Sequence, residues 1–114
     1  MTKEVESYLI SICVGFKNVN TNEIVGNTEL VESVCQRVCD EIGLCVTVTP
    51  TKFIYTKGSE PGCIVGLINY PRFPDSKENL LARATLIATL LKFHCEQQRV
   101  SVVAPDITIM IGDD

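Results

Sequence analysis

Apolar residues along the chain switch between two periods, and the switches outline a strand, helix, strand unit that occurs twice. Residues 8–16 alternate Tyr8, Ile10, Ile12, Val14 and Phe16 against Leu9, Ser11, Cys13 and Gly15, the period of a strand whose second face is also largely nonpolar. A polar, Asn-rich loop over residues 17–26 follows. Asn27 or Thr28 then supplies an N-cap, with Glu29 and Glu32 in a first turn where the helix dipole favours acids. Leu30, Val31, Val34, Cys35, Val38 and Ile42 repeat at helical spacing, and Gly43 suits a C-terminal cap.

A strand over residues 44–49 comes next, its β-branched run stopping at Pro50, and residues 51–56 add a short edge strand before a turn at Lys57-Gly58. The second unit begins with Cys63 to Asn69, a continuous apolar strand of the kind covered on both faces. Pro71 and Pro74 punctuate a loop, and Asp75 with Glu78 forms a capping-box pattern. The helix that follows carries one stripe of Leu80, Leu81, Ala84, Ile87, Ala88, Leu91 and Cys95 and a second of Leu86, Leu90 and Phe93. Residues 99–104 give the fourth main strand, and residues 107–111 a last strand that could pair outside the domain. The succession predicts right-handed crossovers joining parallel strands, in a four-stranded sheet with two helices on one face.

The 114 residues are one domain by length. At 46% hydrophobic and 21% charged, the chain is apolar for a lone small globule, which predicts that other subunits cover part of its surface. A net charge of −4 with scattered Lys and Arg argues against nucleic acid. No apolar run reaches the roughly 18 residues of a membrane span, and the charged residues 1–7 lack a signal-peptide core. The expectation is the cytoplasm, or export by a route without a signal peptide. Six cysteines, none in a C-x-x-C pair, sit at apolar phases and read as reduced core residues. With His94 as the single histidine, neither a metal set nor a cofactor motif emerges. Glu60 and Asp106 form a conceivable carboxylate pair, although both suit turn-stabilising roles at strand ends. Tyr70, Arg72 and Arg99 could line an anion pocket.

The run Gly58-Ser59-Glu60-Pro61, the strand Cys63 to Leu67, the helix segment Leu86 to Phe93, Arg99-Val100 and Asp106 together resemble the macrophage migration inhibitory factor family of the tautomerase superfamily, ungapped over residues 58–106. Residues 45–50 and the Gly43-terminated helix match after a short deletion. The resemblance implies an α+β fold, a βαββαβ two-layer sandwich of two helices on a four-stranded mixed sheet. It also implies short extra strands pairing between the subunits of a homotrimer, over a single domain 1–114 with residues 1–7 as an extension.

Family tautomerases use an amino-terminal proline as general base, because a secondary amine in an apolar pocket is free base near neutral pH. Here that position is about Ser7, and no proline precedes Pro50. The family's pocket lysine falls on Leu44, its isoleucine on Tyr70, and the tyrosine and asparagine of its Arg-Val strand on Ser101 and Val103. Its C-x-x-C pair would be Gly62 and Val65, and the tail is shorter, ending in Gly112-Asp113-Asp114. With Arg72 added, Ser7, Leu44, Tyr70, Ser101 and Val103 make a candidate altered pocket without a catalytic residue. Three functions follow: a catalytically silent, trimeric interaction or signalling protein; a keto-enol tautomerase with changed residues and a small-molecule ligand between subunits; or a ferredoxin-like regulatory or structural module.

Overall fold

In the computed structural model, which describes residues 1–112, the chain runs through seven elements: β1 (Leu9–Gly15), α1 (Thr28–Ile42), β2 (Thr47–Tyr55), β3 (Gly58–Ile68), α2 (Lys77–His94), β4 (Arg99–Val103) and β5 (Thr108–Gly112). The strands form one sheet in the order β2-β3-β1-β4-β5, and every neighbouring pair is antiparallel. Both helices cover the same face. The architecture is α+β, two helices on a five-stranded antiparallel sheet, with the split β-α-β arrangement in which a third strand lies between the two that a helix joins.

The expected four-stranded mixed sheet is therefore corrected in two places. β1 and β2 run in the same direction, as a crossover helix requires, but β3 lies between them and hydrogen-bonds to both. Residues 107–111 do not leave the domain: β5 pairs with β4 over its whole length, Val102 opposite Ile109 and Val100 opposite Ile111. Pro50 does not end β2 either. It sits inside an edge strand, where a missing N–H costs no ladder bond on the open side, opposite Cys63 of β3. The Gly58-Ser59-Glu60-Pro61 segment is the start of β3 rather than a turn; the two-residue turn is Thr56-Lys57, with Tyr55 opposite Gly58.

β1 is the spine. Ile10, Ile12 and Val14 are fully buried beneath the helices, flanked by Cys63, Val65 and Leu67 of β3 and by Val100 and Val102 of β4. Val31, Val34, Cys35 and Val38 of α1 and Leu80, Ala84, Ile87, Ala88 and Leu91 of α2 close the layer. Asn27 caps α1 by accepting from the Leu30 N–H at 2.8 Å, and Gly43 ends it in the left-handed conformation at φ 69°. The cap of α2 is Ser76, one residue beyond the expected Asp75. Its hydroxyl accepts from the Asn79 N–H, while Asp75 takes the Ser76 N–H and the Asn79 side-chain amide. Those bonds hold the Asp75 carboxyl below its ordinary value, the Asn79 amide contributing most. The tail positions Asp113 and Asp114 lie outside the described residues.

Two stability outcomes follow from the packing. Ile87→Ala empties a fully enclosed site between α2 and the sheet and should lower unfolding free energy by about 2–5 kcal/mol. Asn27→Ala removes only a cap and should cost about 1 kcal/mol. Urea titrations of the two variants check the ratio.

Candidate functional site

Because both helices lie on one side, the other face of the sheet is bare. The strand register places Leu9, Ser11, Cys13 and Gly15 of β1 on it, with Glu60, Gly62, Ile64 and Ile68 of β3 on one side and Ser101 and Val103 of β4 on the other. The face is divided by chemistry. At the end carrying Leu9, Ile68 and Val103, joined by Met110 of β5, the exposed side chains are mainly apolar, with Thr47 and Thr108 beside them on β2 and β5. At the end carrying Gly15, polar groups converge, and Glu60 is the one carboxylate projecting from the strands of this face among the described residues.

Glu60 is held there by the local backbone. β1 finishes at Gly15, and a Cβ at that position would collide with the Glu60 Oε1, so the glycine provides the floor on which the carboxylate lies. The chain turns away at once, and the Lys17 N–H donates to the Glu60 Oε1 at 3.0 Å. Across the hairpin the Tyr55 hydroxyl donates to the Oε2 at 3.4 Å, and the Lys17 ammonium stands 5.9 Å from the centre of the Tyr55 ring, within cation–π reach. Gln97, between α2 and β4, donates both amide hydrogens to backbone carbonyls, to Lys17 O at 3.0 Å and Cys95 O at 3.1 Å.

Gly15, Glu60 and Gln97 line a cleft of about 200 Å³ together with Cys13, Phe53, Arg99 and Ser101, and Tyr55 and Lys17 flank it through their hydrogen bonds to Glu60. Small-molecule sites typically span roughly 300–1,000 Å³, so one chain supplies only part of such a site. Larger depressions exist. A groove of about 570 Å³ between α1 and β2 is lined by Cys35, Cys39, Leu44 and Cys45, and one of about 510 Å³ by Ser7, Tyr8, Leu9, Ile68, Asn69 and Pro105. A third, of about 360 Å³, gathers Glu6, Tyr8, Asn69 and Asp75, but there the Tyr8 hydroxyl donates to Asp75 O and the Asn69 amide is spent on Glu6 O and the Asp75 N–H. The Glu60 cleft is selected because it sets a carboxylate on the bare sheet face beside Phe53, with Tyr55 at its edge. Among the described residues no group of three or more His, Cys, Asp or Glu could hold a metal, and no helix is long and apolar enough to cross a membrane.

The six residues of the sequence-derived pocket do not gather in one depression of the single chain. Leu44 and Tyr70 share a crevice of about 20 Å³, where the Cys45 thiol donates to the Tyr70 hydroxyl and, with burial, holds the phenol above its ordinary value. Ser7 lines the apolar groove, Arg72 is exposed on the loop before α2, and Val103 lies at the apolar end of the bare face. Ser101 alone reaches the Glu60 cleft. Asp106 does not join Glu60; it pairs with Lys77 at 3.1 Å. Gly15, Lys17, Tyr55 and Gln97 are missing from the sequence-derived set. The alternation of Phe53 and Tyr55 before a two-residue turn, then Glu60, was the available signal, since it puts all three on one face.

No protein-family model and no curated protein matches the chain. Among solved structures, a phage SAM lyase in the apo state superposes with a TM-score of 0.76 at 17% identity, covering 94% of this chain and 90% of that one. A phage SAM lyase in complex with S-methyl-5′-thioadenosine superposes with a TM-score of 0.74 at 12% identity, covering 99% and 95%. Similarity at these identities shows a shared fold. It overturns the resemblance to the macrophage migration inhibitory factor family, whose mixed sheet the all-antiparallel strand order also fails to reproduce. The reading as a silent, cytokine-like signalling protein falls with it, and neither a tautomerase nor a ferredoxin-like regulatory module gains support from neighbours that are enzymes of another kind.

The cysteines provide a check on the burial pattern. Desolvation pushes the Cys35 thiol up to about 12 and the Cys95 thiol up to about 11, so at pH 8 both hold almost no thiolate. Cys45 is exposed. Iodoacetamide at pH 8 should modify Cys45 first and reach Cys35 and Cys95 only after unfolding, as read by peptide mass spectrometry.

Proposed function

We propose that the protein is a lyase acting on SAM, releasing S-methyl-5′-thioadenosine, and that it works at the Glu60 cleft. The observation that carries the proposal is the pairing of a fold shared over nearly the whole chain with phage SAM lyases and a carboxylate set beside aromatic rings on the bare sheet face. A sulfonium substrate is a cation, and the face of Tyr55 or Phe53 and the charge of Glu60 both favour one.

The chemistry asks little of the protein. When the bond between the sulfonium sulfur and the γ carbon breaks, its electron pair goes to sulfur, so the leaving group departs as a neutral thioether and needs no acid. The γ carbon is then satisfied either by the substrate's own carboxylate oxygen, closing a ring, or by loss of a β proton and formation of a carbon–carbon double bond. Glu60 suits the second route as base, and suits the first by holding the cationic substrate folded so that its carboxylate meets the γ carbon. Positioning of this kind can supply most of a rate enhancement for a unimolecular reaction.

The homo-oligomer expected from composition takes a definite form in this proposal. Copies associate through the bare face, burying Leu9, Ile68, Val103 and Met110, and thereby complete a cleft too small for a nucleoside on one chain. A closed threefold ring is one such solution.

Incubation with SAM should yield S-methyl-5′-thioadenosine by liquid chromatography, and Glu60→Gln should lower the rate about 10²-fold or more while leaving the melting temperature nearly unchanged. A folded wild-type protein that releases no thioadenosine overturns the assignment. Val103→Lys, which places a charge in the apolar half of the face, should reduce the molar mass in solution and the activity together.

A further inference from the structure

Of the six thiols Cys45 alone is exposed, and the Glu60 cleft makes no use of it. Its surroundings are built by a sharp reversal of the chain. The last turn of α1 closes with the Gly43 N–H donating to Cys39 O at 3.0 Å, Gly43 takes a left-handed conformation, and only Leu44, Cys45 and Val46 separate it from β2. The Val46 N–H is directed at the Cys39 sulfur. Because Val46 N is two bonds from the Cys45 Cα, that sulfur lies beside the backbone of Cys45. Both thiols line the groove of about 570 Å³ between α1 and β2. The groove opens on the helix side of the sheet, since Val48 on its wall is opposite Val65, which is buried under the helices. Association through the bare face leaves it accessible.

We infer that Cys39 and Cys45 are a modification site, forming a reversible intramolecular disulfide by exchange with a low-molecular-weight disulfide of the glutathione kind. The exposed Cys45 reacts first: its thiolate attacks one sulfur of the small disulfide, the S–S bond breaks, and the other half leaves as a thiolate that takes a proton from water. The half held on Cys45 has room in a groove whose volume is that of a small-molecule site. Cys39 then gives its proton to solvent and attacks the Cys45 sulfur, expelling the second half. Two protein thiols are oxidised and one small disulfide is reduced to two thiols. Cys39 suits the second step, because burial, and after it the Cys45 sulfur, holds its thiol above the ordinary value and keeps it from reacting alone. The Cys45 thiol, which donates to the Tyr70 hydroxyl at 3.2 Å, has only to rotate from Tyr70 toward the groove. Cys35 lines the same groove but is buried, its thiol pushed up to about 12, which removes it from the exchange.

The test treats the folded, full-length protein with oxidised glutathione and reads intact mass, then tryptic peptides without reduction. Cleavage after Arg37 and Lys52 leaves Cys39 and Cys45 on one peptide, residues 38–52, and Cys35 on another. Wild type should lose two of its six thiols and retain no glutathione, with the two missing hydrogens on peptide 38–52. Dithiothreitol should restore both thiols. Cys39→Ser should stop at a single glutathione on Cys45, and Cys45→Ser should lose no thiol over the same interval. Cys39→Ala gives the same arrested adduct and stands in if the serine variant fails to fold.

A wild-type protein that keeps glutathione on Cys45, joins Cys45 to Cys35 or to a second copy, or does not react at all overturns the inference, as does loss of two thiols in Cys45→Ser. The result is independent of the lyase reading, which stands or falls on the release of thioadenosine from SAM.

Discussion

Placing both helices on the same side of the sheet is the constraint from which the rest of this structure follows. Each crossover returns over the same face, so Ile10, Ile12 and Val14 of β1 are sealed under α1 and α2 while their alternate neighbours Leu9, Ser11, Cys13 and Gly15 are left bare. A strand at the centre of a sheet cannot have one face core and the other ordinary surface without consequence. Its bare residues are small or apolar, and the register sets beside them the alternate residues of its partners, from Ile64 and Ile68 at one end to Glu60 and Arg99 at the other. The bare face is therefore a continuous surface with its own chemistry rather than a set of isolated positions.

That chemistry is graded along the strands. Near Leu9, Ile68 and Val103 the face resembles half of a protein core, which favours a second surface over water. Near Gly15 the same face narrows into a cleft because two chain reversals meet there: the β2–β3 hairpin, which brings Tyr55 and Phe53 beside Glu60, and the departure of the chain at Lys17, which supplies an N–H to that carboxylate. The helix–strand connection contributes Gln97 from a third direction. Three separate segments thus converge on a glycine floor. A catalytic reading and a self-association reading concern the two ends of one surface, and a cleft of about 200 Å³ on a single chain gives the first a reason to depend on the second.

Larger grooves elsewhere illustrate why volume alone is a poor guide. The depression between α1 and β2 is lined by three thiols and aliphatic groups with Glu32 and Gln36 at its side, and burial raises the Cys35 and Cys39 thiols above their ordinary value. The Leu44–Tyr70 crevice, where sequence reasoning sought a pocket, is nearly filled by the contact of Tyr70 with Cys45 and its stacking against Phe73 at 5.2 Å between ring centres.

The sequence by itself determined the elements. Periods of two and of 3.6 residues, an Asn cap, a closing glycine and the turn residues are local signals, and they located β1, α1, α2 and β4 to within a residue or two. It also determined the inward stripes, since Val31, Val34, Ile87 and Leu91 are buried as their phase requires. Strand order was beyond it. A crossover helix needs its two strands to run the same way, and both an adjacent parallel pair and a pair split by β3 satisfy that, so the same pattern of residues is compatible with either sheet. Only tertiary packing chose the split arrangement, by letting β3 bond to β1 and β2 at once, and that choice decided which residues meet. Glu60 became a strand residue facing Gly15, Tyr55 and Gln97 instead of a turn residue beside Asp106, because proximity across a sheet is set by pairing partners far apart in the chain.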